Sequence, residues 1–489
     1  MLLLATAQGA HAQGGLAPTR ADSCAGVVAT VAGGVDWTPG FCDEFNGAEG
    51  TPDAAVWAYD VGDGGFGNGE IQTYCGPPGY AQNSSVCPST FSPITNTAYV
   101  DGHGRLVVQA HRDGAGHWLS ARMKTEGHAN FHYGRIEVSI RLPNTRVPGL
   151  WPAFSMLGSN KKSVGWPDCG EADVVEVWSP IVRGGPGPFG NEAPIHTRAT
   201  RQAGVQPNGA FRFPLGTRND GGFHAYGVIW SANMMQFYVD RPEKPFYIVT
   251  ASDLSRTDLW PFDAPFFLLL NVAVGGTLGG TPSDLAGNPD QMVVDYVRQY
   301  TAALLPAPDL RNPPPITVTA GAVAGNTSTF RLSGTGYVYF TCSTNAPEGS
   351  CAVRASDALN RQVANAGAKE AVTVTASTAT NRLQPRASAS RIGNRLGRIA
   401  VPALALCALI PLLIRRIGSR ILVYALLATV LPSLALAGAW LANRGRISAA
   451  NAVPDGTRPG HYAIRVNAFT ESNTSGRPDA SVEVPLTVK

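Results

Sequence analysis

Glu171-Ala172-Asp173-Val174-Val175-Glu176 places three carboxylates in one short, β-branched run that reads as a strand. Side chains along a strand alternate between faces, so Glu171 and Asp173 share one. Glu176 stands an odd number of positions from Glu171, and a regular strand would aim it the other way. One extra residue near Val174-Val175, a β-bulge, returns it to the face of the other two. All three acids then line a single surface, and two carboxylates flanking a sugar bond are what glycoside hydrolysis requires. Taken alone, the hexapeptide reads more readily as an edge strand with solvated acids; its surroundings change that.

Composition sets the frame. The chain has 489 residues, enough for two or more domains, with 15% charged residues and 55 glycines. Short β-like runs such as Arg135-Ile136-Glu137-Val138-Ser139-Ile140-Arg141-Leu142 recur between turn residues, which points to an all-β architecture. A formal charge of +3 is too small for a nucleic-acid footprint. Residues 1–12 read as the end of a secretory signal with an A-x-A site at Ala10-His11-Ala12, lacking a basic leader. Of the eight cysteines, Cys75 with Cys87 and Cys342 with Cys351 bracket short loops and read as disulfides of an exported protein. Cys24 can pair with Cys42, while Cys169 and Cys407 are expected to be free. No spacing reads as a zinc site.

Around the acids stand Tyr133-Gly134-Arg135-Ile136-Glu137, Gly149-Leu150-Trp151-Pro152-Ala153-Phe154 and Trp166-Pro167-Asp168-Cys169-Gly170. Asp43-Glu44-Phe45-Asn46-Gly47 and Asn68-Gly69-Glu70-Ile71-Gln72 precede them. Phe223-His224-Ala225-Tyr226, Asn271-Val272-Ala273-Val274-Gly275-Gly276 and Val294-Asp295-Tyr296-Val297-Arg298 follow. Each motif is weak alone, but in this order the series resembles glycoside hydrolase family 16 on its laminarinase-like side, from about residue 37 to residue 300. The resemblance implies a concanavalin-like jelly-roll β-sandwich over residues 25–303, with a cleft across its concave sheet. It implies a retaining endo-glycosidase acting on β-1,3-glucan, with Glu171 as nucleophile, Glu176 as general acid/base and Asp173 tuning both. Asn68, Glu70, Tyr133, Arg135, Trp151, Trp166, His196 and Asn271 are the substrate-binding candidates it carries over. Asp295 matches a position that in some relatives binds structural calcium with main-chain carbonyls; a surface aspartate is the plain alternative, and no cofactor is otherwise required. Two departures stand out. Ser155 follows Phe154 where relatives commonly carry a second tryptophan, which implies a lost stacking platform. Ala172 replaces a larger aliphatic but should face the opposite layer.

Prolines from Pro306 to Pro315 mark a linker over 304–315. Short strands over 316–381 and 455–489 suggest an immunoglobulin-like β-sandwich. Between them, 391–446 holds two apolar runs, 399–414 and 421–442, separated by Arg415, Arg416 and Arg420. The pair reads as a two-helix transmembrane hairpin inserted in the second domain, with a buried helical pair or a fused reading frame as alternatives. The expectation is an exported, membrane-tethered enzyme whose partner is a β-glucan. Its rivals are a β-1,3-1,4-glucanase or transglycosylase on the same scaffold and, from another class, a non-catalytic cell-surface glucan-binding protein.

Overall fold

The protein is described from a computed structural model, which covers residues 24–203, 207–254, 260–283, 290–310, 313–318, 327–347, 349–355, 362–378, 457 and 459–489. The signal-like residues 1–12 and the apolar runs within 391–446 lie outside the described residues. No described helix is long and apolar enough to cross a membrane.

Two antiparallel sheets make the first unit. The seven-stranded sheet runs in the order Asn208–Arg212, Gly190–His196, Glu171–Glu176, Leu150–Gly158, Phe266–Val274, Arg122–Lys124 and Ala58–Asp60. The eleven-stranded sheet faces it and centres on Gly134–Arg141 and the long Asp290–Ala302 strand. Alternation produces the core. From Leu150–Gly158, Leu150, Phe154 and Met156 point inward, and from Phe266–Val274, Leu268, Leu270, Val272 and Val274 do the same. They meet Ile136, Val138 and Ile140 from the facing sheet. The intervening residues Trp151, Ala153, Ser155, Leu157, Asn271 and Ala273 face outward and floor a cleft. This is the expected jelly-roll arrangement.

The second unit is also a sandwich. Five strands, Ile316–Val318, Ala480–Val488, Gly460–Thr470, Tyr337–Thr344 and Val363–Asn365, form one sheet. Thr327–Arg331, Ala371–Ser377 and Ser350–Ala355 form the other. Gly460–Thr470 pairs antiparallel with Tyr337–Thr344, so the segments before and after 379–456 share one core of Val338, Phe340, Val374, Val466 and Leu486. The Pro-rich stretch joins that unit too, since Leu310 enters its core and Asp309 bridges to Ser333. Cys24–Cys42, Cys75–Cys87 and Cys342–Cys351 are disulfides, and Cys169 is free and buried.

The two sandwiches touch. Met234 and Ile248 of the first pack with Tyr337, Tyr339, Val363 and Phe469 of the second. The Ala232 N–H donates to the Asn473 carbonyl at 2.9 Å, and Gln236 Nε2 donates to Glu471 Oε2 at 2.8 Å. Burial pushes the Glu471 carboxyl up to about 7, against the hydrogen bonds with Gln236 and the Tyr337 main chain, which favour its charged form. A carboxyl raised in the folded state is protonated there more readily than in the unfolded chain. Its stabilising contribution is present below about pH 4.5 and fades as pH rises through about 7. Thermal unfolding followed from pH 5 to pH 8 should show the contact between the sandwiches weakening, and Glu471→Gln should flatten that trend. An unchanged pH dependence in the variant would remove Glu471 as its source.

Candidate active site

The acid strand contains the expected irregularity. Against Leu150–Gly158, Leu157 pairs with Glu171, Met156 with Ala172 and Ser155 with Asp173, but Phe154 pairs with Val175 and Ala153 with Glu176. Val174 is the extra residue. Ala172, Val174 and Val175 go to the core, and Glu171, Asp173 and Glu176 all face the cleft.

A buried bulge removes main-chain groups from the ladder, and each must find another partner. Here Asn191, fully buried on the neighbouring strand, supplies both. Its Nδ2 donates to the Val174 carbonyl at 2.9 Å, and its Oδ1 accepts from the Glu176 N–H at 3.1 Å. The side-chain amide replaces a missing rung and sets where Glu176 points. Nothing in the sequence marked Asn191, because its role exists only across two strands.

The cleft of about 610 Å³ brings together the three acids with six of the eight binding candidates: Asn68, Glu70, Trp151, Trp166, His196 and Asn271. Trp166, half exposed at the rim, donates its indole N–H to Glu171 Oε2 at 2.6 Å. Glu70 is held by Asn68 Nδ2 at 3.1 Å, Gln72 Nε2 at 2.7 Å and the Tyr74 hydroxyl at 2.9 Å. Asn271 Nδ2 donates to that same hydroxyl at 3.2 Å. These groups form one polar wall, on the side of the acids away from Gly190–His196.

Tyr133 and Arg135 are not in the cleft, which corrects both expectations. Tyr133 is buried against His132 and Trp230, with a backbone φ of 67° that aims it into the body of the sandwich. Arg135 belongs to the facing sheet. Ile136, Val138 and Ile140 point into the core from the same strand, so Arg135 and Glu137 point to the far side. There the Arg135 guanidinium lies 3.9 Å from the Tyr300 ring centre and donates to Thr30 Oγ1 at 2.9 Å. That hydrogen bond ties it to the Thr30–Ala32 edge on that face. Asp295 lies on the same sheet at the irregularity between Val294 and Tyr296. Among the described residues no group of three or more His, Cys, Asp or Glu side chains is gathered to hold a metal ion.

Ser155 lines the cleft floor between Ala153 and Leu157. It is buried, and its hydroxyl donates to Asp173 Oδ1. His196 Nε2 approaches Asp173 Oδ2 at 3.2 Å, so both oxygens of the central acid are engaged. Arg122, unmarked in the sequence, also lines the cleft and reaches toward Asn271 Oδ1 at 3.5 Å.

The electrostatics separate the two glutamates. Burial raises the Glu171 carboxyl and Asp173 raises it further, but His196, the Trp166 N–H and Arg122 pull it back. Burial also leads for Glu176. Asp173, Glu171 and Glu192 add to it against His196, and the carboxyl stands well above the usual range. Burial alone would lower His196. The hydrogen bond and charge of Asp173, backed by Glu171 and Glu176, push it instead up to about 9. Its imidazolium is therefore the counter-charge of the acid cluster at neutral pH. Glu176 is thus pushed further up than Glu171, and a split of this kind is what acid-assisted attack on a glycosidic bond uses.

Asn191→Ala should leave the Val174 carbonyl and the Glu176 N–H buried without partners. A loss of about 2 kcal/mol or more is expected, read as a fall in Tm of about 5 °C or more. Activity should fall further than stability explains, because Glu176 loses its anchor; a variant with wild-type turnover and Tm would refute the clamp.

The family model described as Glycosyl hydrolases family 16 matches residues 92–298. The β-glucanase of Rhodothermus marinus is 36% identical over 274 residues, covering 54% of this chain and 85% of that protein. The glucan endo-1,3-β-glucosidase of Cryptopygus antarcticus is 30% identical over 293 residues, covering 54% of this chain and 92% of that protein. Among solved structures, the laminarinase from Rhodothermus marinus is 34% identical and aligns over 55% of this chain and 99% of its own, with a TM-score of 0.45. With a relative this similar covered over most of its length, and with three acids gathered on one bulged strand of the cleft, the chain belongs to glycosyl hydrolase family 16.

Proposed function

We propose that the protein is a retaining endo-glycosidase that hydrolyses β-1,3-glucan, with Glu171 as nucleophile and Glu176 as general acid/base. The observation that carries this reading is the bulge at Val174. It sets Glu171, Asp173 and Glu176 side by side on the cleft face, with the Glu176 carboxyl pushed well above its usual range by burial and neighbouring charge. In the first step Glu176 gives its proton to the glycosidic oxygen as the C1–O bond breaks, and Glu171 bonds to C1. In the second, ionised Glu176 takes a proton from water as that water displaces Glu171 from C1. Asp173, held by Ser155 and His196, lies between the two glutamates. Trp151 and Trp166 supply faces for stacking, and Asn68, Glu70, His196 and Asn271 supply hydrogen bonds to sugar hydroxyls. The relatives named for β-glucan and β-1,3-glucan cleavage support the choice of substrate. Retention of both glutamates stands against a non-catalytic binding protein.

Glu171→Gln or Glu176→Gln should lower kcat on laminarin by at least about 10²-fold with the fold intact, since acid–base catalysis alone contributes about 10²–10⁴. Early-time NMR of wild-type products should show the β-anomer first. Either a glutamine variant keeping a tenth of wild-type turnover or a first-formed α-anomer would overturn these roles. Comparing laminarin with lichenan separates β-1,3-glucanase from mixed-linkage activity.

Export belongs to the same reading. Disulfides of this kind persist in oxidising compartments, and three are present among the described residues. The second sandwich, read as immunoglobulin-like, would then stand between the enzyme and a membrane tether in 391–446. Cell fractionation is expected to find the full chain in carbonate-resistant membranes; recovery in the soluble fraction without detergent would remove the tether.

A further inference from the structure

The end of the cleft opposite Asn68 and Glu70 carries a further carboxylate, outside every motif of the sequence and given no contact with the sugar so far. Glu192 lies on Gly190–His196 in direct register with Glu176, so the two side chains are cross-strand neighbours facing the same cleft. Its position is built. Asn208 on the next strand donates Nδ2 to Glu192 Oε2 at 2.5 Å, and its Oδ1 accepts from the Ala193 N–H at 3.2 Å. The amide is thus pinned at both ends, and it fixes the carboxylate against the wall formed with Pro194 and Trp178.

No described cation lining the cleft balances Glu192. Arg122 lies beyond the acids on the Asn271 side, and His196 is engaged with Asp173. Lys161 sits on the short Lys161–Val164 helix that follows Leu150–Gly158. Arg212, on the same strand as Asn208, turns its guanidinium to the Phe211 carbonyl. A sugar entering this end meets a hydrogen-bond acceptor and a negative charge, with a second carboxyl directly beside it. A neutral glucose unit can donate hydroxyls to such an acceptor. A unit bearing carboxylate or sulfate would bring like charge into a partly desolvated space, where repulsion far exceeds its value in water.

Resting on the glucanase reading above, we propose that Glu192, fixed by Asn208, is a specificity-determining residue that binds a neutral sugar unit at this end of the cleft and rejects anionic ones. Discrimination of this kind works through what it repels as much as what it attracts. The test is kcat/KM for laminarin and for laminarin oxidised to carboxylate at C6, with wild type, Glu192→Gln and Glu192→Asp. Wild type should prefer the neutral polymer by about tenfold or more. Glu192→Gln, which keeps the shape and an acceptor but not the charge, should narrow that preference at least about fivefold, and Glu192→Asp should largely retain it. An equal preference in wild type and Glu192→Gln, with laminarin hydrolysed by both, overturns the inference and leaves the glucanase reading standing. Hydrolysis of neither polymer by wild type overturns the glucanase reading, and the inference falls with it.

Discussion

The site depends on one buried amide. A strand alternates its side chains strictly, and three acids spaced as Glu171, Asp173 and Glu176 cannot share a face without a break in the ladder. That break exposes a main-chain donor and acceptor inside a sheet with a packed core behind it. Asn191 satisfies both, so the irregularity is held as firmly as the regular rungs on either side. Val174 and Val175 then both enter the core, and their burial opposes any slip back to regular pairing. The chemistry on one face is thereby coupled to packing on the other.

Gathering acids in a cleft creates a second constraint, repulsion. The fold meets it by unequal means along the strand. Glu171 receives the Trp166 N–H and lies within the influence of Arg122 and His196. Asp173 is bound on both oxygens. Glu176 receives only a distant share of His196 and gains the charge of Glu192 across the strands, so protonation is its easiest relief. The asymmetry that a two-carboxylate mechanism needs thus arises from which neighbours each acid has, although two of the three are the same residue type.

The second sandwich contributes no described residue to the cleft lining. Its contact lies at the other sheet, through Met234, Ile248 and the Gln236–Glu471 pair, at a distance in the fold from the acids. Burial of a carboxylate there ties the strength of the contact to pH, while the catalytic groups are tuned by a separate set of charges.

Periodicity and order of motifs made the all-β fold, the bulge and the three acids legible in the chain, because those properties depend on neighbours in sequence. The odd spacing of Glu176 is itself the signature of the bulge. The loop-closing cysteines were readable for the same reason. What the chain could not show is which sheet a strand joins. Gly134–Arg141 displays its alternation plainly, yet only its place in the eleven-stranded sheet sends Arg135 and Glu137 to the face away from the cleft. Ser155 read as a missing ring, and only the pairing with Asp173 revealed that its hydroxyl has a partner. Asn191, Arg122 and Glu192 act wholly through residues on other strands, and strand register, set by packing across the core, is what brings them there.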